Sequence, residues 1–141
     1  MDDDSEQAAS TQFRKRKIMV VDDNVDGADS LGMLLEFMDY DVRTVYDGLQ
    51  AVELARTWQP DLVILDINMP VMDGYEAARK LRSMKNTPRL VLVALTARTS
   101  PADRASSKAA GFDLHLSKPI GPEQLAEVVD QSLHHVPPLT H

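Results

Sequence analysis

Residues 18–24 read Ile18-Met19-Val20-Val21-Asp22-Asp23-Asn24, and residues 62–66 read Leu62-Val63-Ile64-Leu65-Asp66. Each is a run of four apolar residues that stops at a carboxylate. An apolar run without polar alternation is the profile of a strand buried on both faces, as parallel strands are when helices cover both sides of a sheet. Working outward, Asn24 can cap a helix whose apolar positions Ala28, Leu31, Leu35 and Met38 recur at spacings of three, four and three. Residues 42–46 read as a second strand, and a helix follows from about Leu49 to Trp58, with Pro60 marking its exit. Gly74 precedes a helix through about Met84, and residues 90–95 form a fourth strand. Pro101 suits the first turn of an Ala-rich helix that Gly111 closes. Residues 114–116 make a short fifth strand, and Pro122 opens a last helix with Leu125, Val128, Val129 and Leu133 toward the core.

Five strands alternating with five helices predict an α/β fold, a doubly wound five-stranded parallel sheet, because right-handed crossover helices are what join parallel neighbours. Ligands of such sheets lie beyond the carboxyl ends of the strands. There the sequence places Asp22 and Asp23, Asp66, Thr96 and Lys118, on four strand ends that converge on one site.

Composition narrows the chemistry. The chain has 141 residues, 43% hydrophobic and 26% charged, which fits one globular domain and neither a disordered nor a membrane class. With no cysteine there is no disulfide framework, thiolate zinc site or cysteine nucleophile. The longest purely apolar run, residues 90–95, is too short to span a bilayer, and the acidic opening Asp2-Asp3-Asp4 is unlike a secretory signal. A soluble, cytoplasmic protein is expected. Residues 1–16 read as a disordered tail, 17–134 as the folded domain and 135–141 as a C-terminal tail. The net charge of −7 lies in the folded part, since acids and bases cancel over residues 1–17 and leave 18 acids against 11 bases beyond. Such a surface repels phosphate backbones, so no direct nucleic-acid binding is expected, and the short basic run Arg14-Lys15-Arg16-Lys17 reads as a solvated lead-in to the first strand.

Three carboxylates meeting at one edge repel one another unless a cation joins them. A donor set of oxygens alone selects a hard cation, and Mg²⁺ fits best. Lys118 adds an ammonium and Thr96 a hydroxyl. Together these describe a cradle for a phosphoryl group in transfer, where positioning and charge neutralisation do most of the catalysis. An aspartate can itself be the nucleophile and form an acyl phosphate. Asp66 is the best placed of the three, standing alone at the end of a central strand between the acidic pair and Lys118.

The motifs Val20-Val21-Asp22-Asp23-Asn24, Leu65-Asp66-Ile67-Asn68-Met69-Pro70 with Met72-Asp73-Gly74, Leu95-Thr96-Ala97 and Ser117-Lys118-Pro119 resemble the receiver domain of bacterial two-component response regulators. The resemblance runs from about Lys17 to Leu133, with every motif in order at the end of a predicted strand. It implies a flavodoxin-like receiver fold over 17–134. It also implies that Asp66 is the phosphorylation site, taking its phosphoryl group from a histidine on a partner kinase or phosphotransfer protein. Asp22 and Asp23 match the pair that organises Mg²⁺, Asp66 shares the metal, and Asn68 matches the position whose backbone carbonyl completes the protein ligands. Thr96 matches the hydroxyl that moves toward the phosphoryl oxygen, and Lys118 the lysine that pairs with it. A cis bond at Lys118–Pro119 is implied as well.

His115 stands where the family places a switch residue that is usually Tyr or Phe, whose ring turns inward when the threonine moves. Inward burial of a histidine is costlier when it is protonated, so activation is expected to weaken as pH falls toward 6. Ala97 falls where, in the family, a small residue leaves the site open to phosphodonors, while Asn68 and Arg98 fall at positions that resemble the family's tuners of dephosphorylation. His134, His135 and His141 read as solvated. Eight residues follow Leu133, with Pro137-Pro138 among them and no effector pattern, so a stand-alone receiver is the first reading, and Met1 with its acidic tail favours a natural start. The resemblance implies a phosphoacceptor that catalyses its own phosphorylation and slow hydrolysis without turning over a substrate. It acts through a downstream protein, as a monomer or a weak phosphorylation-dependent dimer, without membrane contact. The alternatives are a receiver excised from a hybrid histidine kinase and a constitutive pseudo-receiver binding module. An aspartate-nucleophile phosphatase is disfavoured, because its second acid would fall at Asn68.

Overall fold

The computed structural model describes residues 15–67, 73–86, 89–97 and 100–134. Asn68, Arg98, the segments 1–14 and 135–141, and the side chain of His134 lie outside the described residues, so the expectations for them are not addressed below.

Strands β1 (Lys17–Val21), β2 (Asp41–Val45), β3 (Leu62–Asp66), β4 (Val91–Thr96) and β5 (Leu114–Ser117) alternate with helices α1 (Val25–Phe37), α2 (Gly48–Trp58), α3 (Gly74–Arg82), α4 (Pro101–Ala110) and α5 (Pro122–His134). The sheet order is β2-β1-β3-β4-β5, and every pairing is parallel. Within β1, Ile18 and Val20 face the layer formed by α1 and α5, while Met19 and Val21 face the layer of α2, α3 and α4. The same division in β3 and β4 explains the unbroken apolar runs, since both faces of the central strands are core.

The helices start where the sequence offers caps. Asn24, Asp47, Asp73 and Ser100 each accept a backbone N–H of the first turn, and Ser100 and Asp103 close a capping box ahead of Pro101. Gly111 ends α4 at φ 109°, a left-handed conformation that a side chain would strain. α3 stops two residues short of the expected Met84. The Ser83 hydroxyl donates to the Lys80 carbonyl at 2.8 Å, satisfying an acceptor that another turn would have used.

Two side-chain links tie distant segments together. The Tyr40 hydroxyl donates to Asp130, joining the turn after α1 to α5, and burial with this carboxylate beside it holds the phenol well above its usual range. The Arg82 guanidinium donates to the Leu90 carbonyl at 2.6 Å, to the Gly111 carbonyl at 2.8 and 3.2 Å, and to Asp113 Oδ2 at 2.6 Å. Asp113 in turn accepts the Leu92 N–H at 2.8 Å. Replacing Arg82 by alanine leaves two backbone carbonyls short of a charged donor. The expected loss is about 2 kcal/mol, moderated by partial solvent access, and Arg82→Lys restores only part because one ammonium cannot span the fork. Urea unfolding of the three proteins measures both effects; an Arg82→Ala midpoint equal to the parent's contradicts the assignment.

Candidate functional site

Parallel strands all end on the same edge, and the residues just past β1, β3, β4 and β5 assemble there. The Asp22 N–H bonds the Val45 carbonyl at 3.3 Å, prolonging the β1–β2 ladder. Its carboxylate accepts the Asn24 N–H at 3.0 Å, which turns the chain into α1. Asp22 is buried and Asp23 exposed. Asp66 is the last residue of β3, buried and in register with Leu95. Beyond it the Ile67 N–H bonds the Leu95 carbonyl at 3.2 Å, and the Gly74 N–H returns to the Ile67 carbonyl at 2.9 Å. A Cβ on Gly74 would fall 2.5 Å from Ile67 Cα and 2.6 Å from the Asp66 carbonyl oxygen, both backbone atoms with nowhere to move. The start of α3 is therefore pressed against the backbone that carries Asp66.

Thr96 ends β4 in register with Ser117, and it is buried. The Lys118 N–H then bonds the Thr96 carbonyl at 2.9 Å, carrying the ladder one residue past β5. The Lys118–Pro119 bond is cis. The Lys118 ammonium reaches back across the edge to Asp66 Oδ2 at 3.3 Å and Asp22 Oδ2 at 3.5 Å. Burial works against its charge, but the Asp66 and Asp22 carboxylates prevail and hold the amine above the usual lysine range.

Asp22, Asp23 and Asp66 each place a carboxylate oxygen within 4.8 Å of the others. At that separation two unit charges repel by roughly 3 kcal/mol at an effective dielectric of 20. One ammonium against three carboxylates leaves two negative charges, all on oxygen, which is the donor chemistry of a hard divalent cation. The structure thus brings together Asp22, Asp23, Asp66 and Lys118 by contact, and places Thr96 beside Lys118 through the backbone.

On the other side of Lys118 a groove of about 500 Å³ runs between α1 and the β5–α5 connection, with Gly27, Ser30, Leu31 and Leu34 along one wall and Pro119 and Ile120 along the other. Of these α1 residues the sequence pattern singled out only Leu31, as one of the helix's apolar positions. The signal available was small and polar residues at Gly27 and Ser30, on the helix that starts at the acidic pair.

His115 pairs with Ala94, so its side chain lies on the α4 face of the sheet. The ring is half-buried, and its two nitrogens are enclosed with no hydrogen-bond partner among the described residues. Burial, and secondarily the Arg104 guanidinium, pushes the imidazole below its ordinary value, with Asp103 pulling the other way. Folding therefore disfavours the protonated ring. Stability is full above the unfolded value of 6.5 and falls as pH drops through the lower folded value. His115→Phe is expected to lose less stability than the parent between about pH 7.5 and about pH 5.5, as read by urea unfolding at both pH values. An identical loss in the two proteins rules out His115 as the proton-linked group.

A family model described as the response regulator receiver domain matches residues 18–130. Response regulator MprA of Mycobacterium ulcerans (strain Agy99) is 39% identical over 109 residues, which cover 77% of this chain and 46% of that protein. MprA of Mycobacterium sp. (strain KMS) is 40% identical with the same coverage. The match thus spans about half the length of these relatives. Among solved structures, chemotaxis protein CheY4 of Vibrio cholerae superposes with a TM-score of 0.81 at 31% identity, covering 84% of this chain and 98% of that one. The receiver domain of sensor histidine kinase PA1611 from Pseudomonas aeruginosa PAO1, solved with a magnesium ion coordinated in its active-site cleft, gives 0.79 at 32% identity over 85% and 98%. No helix among the described residues is long and apolar enough to cross a membrane. With its parallel 2-1-3-4-5 sheet and the acidic cluster at its carboxyl edge, the chain belongs to the response regulator receiver domains of two-component signalling.

Proposed function

We propose that this receiver is a cytoplasmic, Mg²⁺-dependent phosphoacceptor whose aspartyl phosphate forms on Asp66. The observation that carries the reading is the cluster of Asp22, Asp23 and Asp66 around one ammonium, with two negative charges left for a divalent cation to offset. A carboxylate oxygen of Asp66 attacks the phosphorus of a phosphohistidine on a partner kinase or phosphotransfer protein. The phosphorus–nitrogen bond breaks as the phosphorus–oxygen bond forms, and the imidazole leaves and takes up a proton. Asp22, Asp23 and Asp66, with the Asn68 carbonyl that the resemblance implies, would hold Mg²⁺, which would supply charge neutralisation for the phosphoryl oxygens.

Lys118 exchanges its contact with the Asp66 carboxylate for one with a phosphoryl oxygen, and the Thr96 hydroxyl donates to another. The buried setting of both aspartates raises the value of each such contact by excluding water. Water later attacks the acyl phosphate, and the domain returns to its starting form without turning over a separate substrate. The modified form acts through a downstream protein rather than through nucleic acid, which the net charge of −7 opposes. It does so as a monomer or a weak phosphorylation-dependent dimer. The likeness to a chemotaxis protein and to a receiver of a sensor kinase supports the reading at the level of the domain.

The test is intact-protein mass after incubation with acetyl phosphate. One phosphoryl addition is expected, dependent on Mg²⁺ and absent from Asp66→Asn; an unmodified parent in every condition would make the chain a constitutive binding module. Lys118→Ala leaves the carboxylates without their internal cation. In a metal chelator its thermal midpoint is expected to fall by roughly 3–6 °C, on the order of 1 kcal/mol, and Mg²⁺ is expected to narrow the gap to the parent. Equal midpoints in chelator contradict a charge-balancing role for Lys118.

A further inference from the structure

A cleft of about 490 Å³ opens between the C-terminal ends of α2 and α3. It lies at the start of the strands, since the carbonyl of Trp58, which ends α2, is bonded by Lys17 of β1. Arg56 enters it from the last turn of α2, Lys80 from the last turn of α3 and Lys85 from the segment that follows. No carboxylate among the described residues lines it. Basic side chains in a last turn ordinarily offset the partial negative charge of open carbonyls. Here neutral donors fill part of that role. The Asn86 amide donates to the Arg56 carbonyl at 3.0 Å, and the Ser83 hydroxyl to the Lys80 carbonyl at 2.8 Å. Glu53 and Glu76 stand one turn before Arg56 and Lys80 on their own helices, yet neither forms an ion pair with them. Three unpaired cations thus line one concavity of a chain whose net charge is −7.

We propose that this cleft binds the diphosphate group of a small molecule. The Arg56 guanidinium offers a planar fork of N–H donors that suits two phosphoryl oxygens at once, and the ammonium groups of Lys80 and Lys85 add mobile point charges for the second phosphate. A single carboxylate would offset one cation of the three, whereas a diphosphate concentrates several charges in a volume that the cleft admits. A nucleic acid strand would run out of the cleft over an acidic surface that repels it. A nucleoside diphosphate and inorganic pyrophosphate share the recognised chemistry. Only the nucleotide has a base to lay against Val52 and Met84, the buried and half-buried apolar residues of the lining.

The experiment is calorimetric titration of the full chain with ADP, pyrophosphate, AMP and a hexaglutamate peptide, at low ionic strength in a metal chelator. The chelator keeps divalent ions from bridging a phosphate to Asp66. ADP and pyrophosphate are expected to bind one site with a Kd below about 1 mM, and AMP roughly tenfold more weakly. The double variant Arg56→Gln, Lys80→Gln is expected to weaken ADP by roughly tenfold or more, and Lys85→Gln to weaken it in the same direction. These side chains are exposed and make no internal contact, so the variants keep the fold, which their thermal midpoints check. A control with the same change of charge elsewhere, Arg104→Gln with Lys108→Gln, is expected to bind ADP like the parent. ADP tighter than pyrophosphate assigns the cleft to a nucleotide, equal affinities assign it to the diphosphate alone, and both uphold the proposal. It is overturned if neither diphosphate binds, if AMP matches ADP, or if the control weakens ADP as much as the double variant does. Hexaglutamate binding more tightly than ADP through the same residues also overturns it, making the cleft a surface for acidic protein segments. No phosphoryl transfer takes part in the titration, so this proposal and the assignment of Asp66 fail independently.

Discussion

The contact between the Lys118 ammonium and the carboxylates of Asp22 and Asp66 is the constraint around which the functional edge is organised. A parallel sheet sends every strand in one direction, so whatever follows the strands accumulates at one end. Here that gathers three carboxylates within 4.8 Å of one another, two of them on buried residues. One internal cation makes the arrangement compatible with folding, yet it leaves the charge unbalanced. The residual negative charge lies wholly on carboxylate oxygens, the donor chemistry of a hard divalent cation, and the lysine divides its attachment between two of them. Stability and chemistry draw on the same few atoms.

Most of the architecture was legible because the central strands are buried on both faces. Ile18 through Val21 and Leu62 through Leu65 carry no polar residue, and their ends mark the sheet edge without ambiguity. Asp22, Asp66 and Thr96 were readable for the same reason, since each follows such a run directly, with Asp23 one residue on, whereas Lys118 follows the shorter mixed strand Leu114-His115-Leu116-Ser117. The caps at Asn24 and Ser100 act over three residues, so local sequence suffices to see them. What stayed hidden depends on distance along the chain. Arg82 and Asp113 are 31 residues apart, and Tyr40 and Asp130 are 90 apart. Nothing in the local pattern says that these side chains meet, or that Gly74 must pass within van der Waals range of the Asp66 backbone.

The two ends of the sheet contrast in charge. At the edge opposite the carboxylates, Trp58 has the Lys17 ammonium 5.9 Å and the Arg43 guanidinium 4.9 Å from its ring centroid, and Lys17 also donates to the Trp58 carbonyl at 3.0 Å. Cations there lie over an aromatic face and the C-terminus of α2, where partial negative charge favours them.

The Arg82 clamp makes the two ends of α4 mechanically unequal. The guanidinium grips the Gly111 carbonyl and the Asp113 carboxylate, so the C-terminal end of the helix is fastened to α3 and to the start of β4. The other end, at Ser100, is closed by its own capping box, a local motif that travels with the helix. α4 is therefore held from outside at its Gly111 end and only by its own sequence at its Ser100 end, so the two ends answer to different residues: Arg82 governs one and the Ser100–Asp103 pair the other.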